Sequence, residues 1–185
     1  MYKAIITTTM VLTLACVSFA QEDITPNLDE GTKELRLSGS YDNDAPLDYE
    51  LTLGVGYGYF FIDNLQVAVE ANVVANDVIT IYELGGYVEY NFPCGGQWVP
   101  FIGAGAFYVG AEVDDDIYND PDSGADADTA VAKAGAGVKY FLRNDVAISL
   151  RADYSVAADD IYTDEDGNIE DTNVKAVLGL RFYFD

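Results

Sequence analysis

The sequence predicts an all-β protein: an eight-stranded antiparallel up-and-down transmembrane β-barrel that follows a cleaved signal peptide. Three observations carry that reading. Eight runs alternate apolar and polar residues with a period of two, as strands with two unlike faces do. The connections between runs alternate between short turns and longer loops. The 185-residue chain is 50% apolar and 13% aromatic, yet its net charge is −23, a combination that needs two separate surfaces. A disordered acidic chain would be poor in aromatics. A pI near 4.1 excludes a nucleic-acid binder, which needs a basic face. The absence of histidine removes imidazole bases and His-ligated metals.

The elements follow in order. Residues 1–20 read as a secretory signal: Lys3 is the n-region charge, residues 4–17 are uncharged and apolar, and Ser18 and Ala20 are the small residues of a cleavage site. The stretch is shorter than the ~20 apolar residues of a transmembrane helix. Thr13-Leu14-Ala15 matches a lipidation signal at Cys16 poorly, so simple cleavage is expected. It removes Cys16 and leaves Cys94, a chain without an internal disulfide. Residues 21–33 read as a polar periplasmic tether, and residues 34–185 as the barrel.

The second strand, over 47–59, has the clearest alternation: Leu47, Tyr49, Leu51, Leu53, Val55, Tyr57 and Tyr59 share one face, with Gly54, Gly56 and Gly58 on the other. No helical period fits this. Comparable apolar faces recur at 35–41, 65–73, 82–92, 132–140, 146–156 and 174–184. The fifth strand, 99–113, is small and apolar on both faces, so its parity stays open. Short turns fall at 61–64, 93–97 and 142–145. The other ends carry 42–46, 74–77, 114–129 and 157–172. Eight strands of this length cross a bilayer at a tilt.

A soluble sandwich or lipocalin-like barrel also shows short alternating strands. Membrane residence is favoured because the seven apolar faces of clear parity hold no charge and aromatics gather at strand ends. Tyr57, Tyr59, Phe60, Phe61, Tyr90, Phe92, Trp98, Phe101, Tyr140, Phe182 and Phe184 lie near the short-turn rim; Tyr41, Tyr49, Tyr82 and Tyr154 lie toward the loops. Both groups are candidate interfacial girdles.

The polar face then becomes the lumen. It carries Arg36, Lys133, Lys139, Arg151, Lys175 and Arg181 against Asp48, Glu50, Glu70, Glu83, Glu89 and Asp153. Such charges must pair in a dry interior, so a filled, ion-paired lumen is expected, with the inward glycines making room for long side chains. The surplus acid lies in two loops, 112–128 and 159–171, which share the order Asp-Asp-Ile-Tyr followed by further acids and a glycine.

At this point the residues resemble a family. The run 141–154, the Gly-Tyr-Gly-Tyr-Phe of 56–60 leading to Asp63-Asn64-Leu65, the Pro-Phe-Ile-Gly-Ala-Gly of 100–105, and Gly179, Phe182 and Phe184 near the end resemble small OmpA/OmpX-type outer-membrane barrels. The resemblance covers roughly 34–184. It implies residence in the bacterial outer membrane, assembly by the barrel-assembly machinery, contact with lipopolysaccharide, long loops outside and termini in the periplasm. No peptidoglycan-binding domain is expected, as in the stand-alone OmpX type.

The leading functional expectation is a non-enzymatic, monomeric surface barrel that supports envelope integrity or surface contacts. A divalent-cation site is the alternative: Asp120, Asp122, Asp126 and Asp128, with Asp164 and Asp166 in the second loop, are hard oxygen ligands suited to Ca²⁺. Neither loop has EF-hand spacing, and a solvated charge run is the plainer account. Catalysis is not expected, since the enzymatic small barrels we considered rely on histidine. A small-solute channel would require the lumen ion pairs to open. Cys94, in a glycine-rich turn without a base, is not a candidate nucleophile.

Overall fold

The structure is a computed structural model; it describes residues 24–42, 50–75, 79–113, 127–159, 161–163 and 169–185. Eight strands close a barrel: β1 (Lys33–Asp42), β2 (Glu50–Ile62), β3 (Leu65–Ala75), β4 (Ile79–Asn91), β5 (Trp98–Val113), β6 (Ala127–Arg143), β7 (Val146–Ala157) and β10 (Thr172–Phe184). Each pairs antiparallel with its sequence neighbour, and β10 returns to β1. A hairpin of β8 (Tyr162–Thr163) and β9 (Ile169–Glu170) stands in the connection between β7 and β10. The predicted fold class is correct, and the strands run longer than the alternation alone marked. β1 begins at Lys33 and β6 at Ala127, because the backbone ladder continues where polar residues interrupt the pattern.

The outward face is apolar and exposed. Leu53, Val69, Leu84, Leu150 and Leu178 are each more than half exposed, far more contiguous apolar surface than a water-soluble monomer shows. At the short-turn rim the outward aromatics pair: Trp98 with Tyr140 at 4.8 Å, Tyr90 with Phe92 at 4.8 Å and Tyr57 with Phe184 at 6.3 Å between centroids. Two aromatics expected in this girdle, Phe60 and Phe101, are instead fully buried inside. Each keeps the inward parity of its strand, Phe60 with Gly54, Gly56 and Gly58 and Phe101 with Val99 and Phe107, and the register shifts between Phe60 and Ile62 and between Phe141 and Arg143 follow at the strand ends. The alternation carries Phe60 and Phe141 inward and Phe61 and Leu142 outward, and the bulge after each leaves Ile62 and Arg143 exposed as well. The open parity of the fifth strand resolves with Val99, Phe101, Phe107 and Val109 inward and Ile102 and Tyr108 outward.

The polar tether is, over residues 24–32, a strap across the short-turn mouth. Leu28 is 3% exposed and packs with Phe60, Val99, Phe141, Ala147 and Tyr183. The strap's backbone is tied to the turns: Asn27 N–H donates to Asn144 O, Asn64 N–H to Leu28 O and Gly31 N–H to Phe60 O. Gly31 and Asn64 hold positive φ of 93° and 67°, which glycine and asparagine tolerate. At the far end, Ile161 packs on a second cluster of Phe107, Val109, Val131 and Ala157. Cys94 is disulfide-bonded; the disulfide-free form expected above is the one that cleavage after residue 20 would leave.

Inward glycines hold space. A Cβ at Gly137 would meet Phe101 Cζ at 2.6 Å, whereas the nearest atom for one at outward Gly86 is 3.9 Å away. Gly137→Val is therefore expected to destabilise by about 1–3 kcal/mol through overpacking and to lower the urea midpoint of the folded, heat-modifiable band. Gly86→Ala should leave that midpoint in place.

Candidate functional site

The candidate site is the buried ion network of the lumen. Glu34 and Arg36 on β1 flank outward Leu35, so both point in. Opposite Arg36 on β2 stands Gly56, and opposite Gly56 on β3 stands Glu70. With no side chain between them, Arg36 Nη1 and Glu70 Oε1 meet directly. Arg151 on β7 reaches the same carboxylate at 3.2 Å and binds Asp153, two residues along its strand, at 2.8 Å.

A second centre lies toward the strap. Glu89 on β4 receives Lys139 Nζ at 2.7 Å, Arg181 Nη1 at 2.9 Å and Arg36 Nη2 at 3.3 Å. Glu34 receives Arg36 Nη2 at 2.8 Å, Arg181 Nη1 at 3.3 Å and Lys139 Nζ at 3.4 Å. Gln66 Nε2 donates to both carboxylates, at 3.2 and 2.8 Å, and Arg181 Nε donates to Ser149 Oγ at 2.9 Å. Four bases and four acids therefore balance. Glu89, Lys139 and Gln66 are 0% exposed and Arg181 is 1%, so no water-filled path reaches them.

Aromatic rings separate the layers. Arg181 lies 4.6 Å from the Phe101 centroid, and Lys139 lies 5.3 Å from Phe101 and 5.4 Å from Tyr183. Arg151 and Arg36 lie 4.8 and 5.9 Å from Tyr87. The negative ring face attracts a cation, more strongly when water is excluded. Tyr87 occupies the space left by Gly103 and Gly105 on β5. Nearer the long loops, Lys133 binds Glu83 at 2.5 Å and Lys175 donates to Thr52 Oγ1 at 2.5 Å.

Of the residues expected in the lumen network, Arg36, Glu70, Glu89, Lys139, Arg151, Asp153 and Arg181 come together, Lys133 pairs with Glu83, and Lys175 reaches Thr52. Asp48 lies outside the described residues, and of Glu50 only the backbone, opposite Asp42, is described. Glu34, the acid with the most basic partners alongside Glu89, went unrecognised, although its place two residues before Arg36 put it on the same face. Of the loop residues considered for Ca²⁺, Asp120, Asp122, Asp126, Asp164 and Asp166 lie outside the described residues. Asp128 is exposed on the outward parity of β6, opposite Gly110, and accepts a hydrogen bond from the Tyr108 hydroxyl. Among the described residues no three His, Cys, Asp or Glu side chains group to hold a metal.

An apolar exterior, outward aromatic pairs and a closed ladder around a charged, dry interior define a transmembrane β-barrel. The chain belongs to the family described as the outer membrane protein beta-barrel domain, whose model matches residues 7–182; it is an integral protein of the bacterial outer membrane. The fold is similar to the N-terminal beta-barrel domain of Pseudomonas aeruginosa OprF, with 20% identity, 84% of this chain and 98% of that chain covered, and a TM-score of 0.62. It is also similar to Neisserial surface protein A, with 17% identity, coverage of 83% and 95%, and a TM-score of 0.55. A third likeness is to Yersinia pestis Ail, the attachment invasion locus protein, in complex with the heparin analogue sucrose octasulfate: 14% identity, coverage of 84% and 99%, TM-score 0.51. No curated protein matches the chain.

Removing one partner of a buried pair strands the other charge. Glu34→Gln keeps the shape but leaves Arg181 and Lys139 short of a counter-charge, and is expected to cost about 3–5 kcal/mol. Arg143→Gln, at a pair whose arginine is 72% exposed, should change stability by less than about 0.5 kcal/mol. Urea unfolding in lipid vesicles separates the two.

Proposed function

We propose that the chain is a non-enzymatic, monomeric outer-membrane barrel that supports envelope integrity and presents an acidic surface for contacts. The dry, charge-balanced lumen carries this reading. A pore needs continuous water, and here ion pairs fill the interior between Leu28 at one mouth and Ile161 at the other. A catalytic carboxylate needs access to substrate, whereas Glu34, Glu70 and Glu89 are buried and held by arginine and lysine.

The long loops face outward in this reading, and the termini and strap face the periplasm, as in outer-membrane barrels generally. The signal at 1–20, the tether at 21–33 and insertion by the barrel-assembly machinery belong to the same proposal. Beyond the signal, the chain's bases are the six lumen residues plus Lys33 and Arg143 at the short-turn rim, so the long-loop segments contain no base. The Ail complex pairs that protein with a sulfated sugar analogue. This chain's loops instead suit cationic partners, or divalent cations that bridge them to lipopolysaccharide phosphates.

In planar bilayers the folded protein is expected to show no steady conductance. Stable ohmic steps from the unmodified chain would refute the closed lumen. The base-free loops also favour a second reading, weak divalent-cation binding by Asp120, Asp122, Asp126, Asp128, Asp164 and Asp166. Thermal melting with millimolar Ca²⁺ should then raise the midpoint, and replacing these six by asparagine should abolish the rise. An unchanged midpoint in the parent protein would rule out the cation site while leaving the barrel reading intact.

A further inference from the structure

Of the eight bases after residue 20, the two that do not face the lumen, Lys33 and Arg143, both lie at the short-turn rim. Arg143 has a carboxylate partner in Asp145. The ammonium of Lys33 has no ion pair and no cation–π partner among the described residues. Thr32 before it and Glu34 after it are 2% and 1% exposed and point in, so Lys33 points out of the barrel, toward lipid. The acids of this rim lie on the strap and the turns. Asp63 accepts a hydrogen bond from Glu30 N–H and Asp185 one from Asn27 Nδ2.

The surroundings frame this cation on three sides. Tyr59 on β2 and Phe184 on β10 stand directly opposite Lys33 in the two ladders, and both are exposed. Phe184 packs on Tyr57 at 6.3 Å between centroids. One outward step from the rim, Leu35 lies between Tyr57 and Phe182, and one step further Leu37 lies between Val55 and Leu180. Aromatic rings of this kind mark the headgroup level. A lysine there lays its stem along apolar surface and keeps its charged head at the boundary. Among the described side chains with the outward parity of a barrel strand, only Lys33 and Asp128 are charged, and they stand at opposite rims. The lipid-facing wall thus offers a single cation, at the short-turn end.

We propose that Lys33, framed by Tyr59 and Phe184, holds the phosphate of an anionic glycerophospholipid in the leaflet at the short-turn rim. The phosphodiester supplies the counter-charge that no protein group gives Lys33, and anionic headgroups attract a base at this depth. Tyr59 brings a hydroxyl donor to the same level. The acyl chains lie on the apolar column of Leu35, Phe182, Leu37 and Leu180. The choice of a phospholipid over lipopolysaccharide rests on the reading that the short turns face the periplasm. A chain with a net charge of −23 otherwise repels anionic lipid, so a local preference for it is a distinctive signature.

Tryptophan quenching by brominated lipid in reconstituted vesicles tests this. The chain has one tryptophan, Trp98, on β5, four strands from β1 in either direction around the barrel. Trp98→Phe with Tyr59→Trp moves the reporter beside Lys33. In symmetric phosphatidylcholine vesicles, brominated phosphatidylglycerol is compared with brominated phosphatidylcholine at equal mole fraction. The site predicts a preference for phosphatidylglycerol at residue 59 on the order of fivefold. Adding Lys33→Gln should abolish it, and Lys33→Arg should keep it. Trp98 in the parent chain should show none. Should Tyr59→Trp lose the heat-modifiable fold, Phe184→Trp reports from the other side of Lys33. Equal quenching by the two lipids beside Lys33 would overturn the proposal, and so would a preference that survives Lys33→Gln. Symmetric vesicles present the same lipid to both rims. The result therefore stands apart from which rim faces the periplasm and from whether the lumen conducts.

Discussion

An eight-stranded barrel leaves an interior wide enough for side chains and too narrow for a column of water. Any charge placed there must find its counter-charge there, and much of the structure follows from that. Arg36, Arg151, Arg181 and Lys139 meet Glu34, Glu70, Glu89 and Asp153 in one connected group. β2 lends glycine at 54, 56 and 58 so that side chains from its neighbours can meet over it. Phe101 and Tyr87 lie beside the guanidinium groups and fill the layers between them. Apolar clusters at the two ends keep water from competing with the ion pairs. A well-packed apolar core of similar volume is often no less stable than a buried ion network; what the charges add is a strong penalty for any strand register that separates them.

The same constraint sorts charge across the whole molecule. Of the eight bases after residue 20, six lie on the lumen face, with Lys33 and Arg143 at one rim. The acids have no comparable limit and accumulate in the long loops. A net charge of −23 and an apolar content of 50% are compatible because the apolar residues form the outward wall while the acids concentrate in the connecting sequences.

The two ends of the barrel are closed separately. The strap is held by backbone hydrogen bonds to several turns and by one buried leucine, and the opposite mouth has Ile161. Around the wall each strand pairs with both neighbours and β10 returns to β1, which closes the barrel.

The sequence by itself determined the strands, their faces and the residents of the lumen, because a period of two is local and needs no knowledge of what packs where. It separated the six lumen bases from the acidic loops for the same reason. Closure decided the rest. Which acid meets which base depends on how eight registers sum around the barrel, and that sum placed Glu34 beside Arg181 and Lys139 from strands far apart in the chain. The fifth strand, apolar on both faces, had no local signal of parity and took it from its neighbours. Phe60 followed the inward parity of its strand into the interior, and Leu28 became a stopper only once there was a mouth to fill.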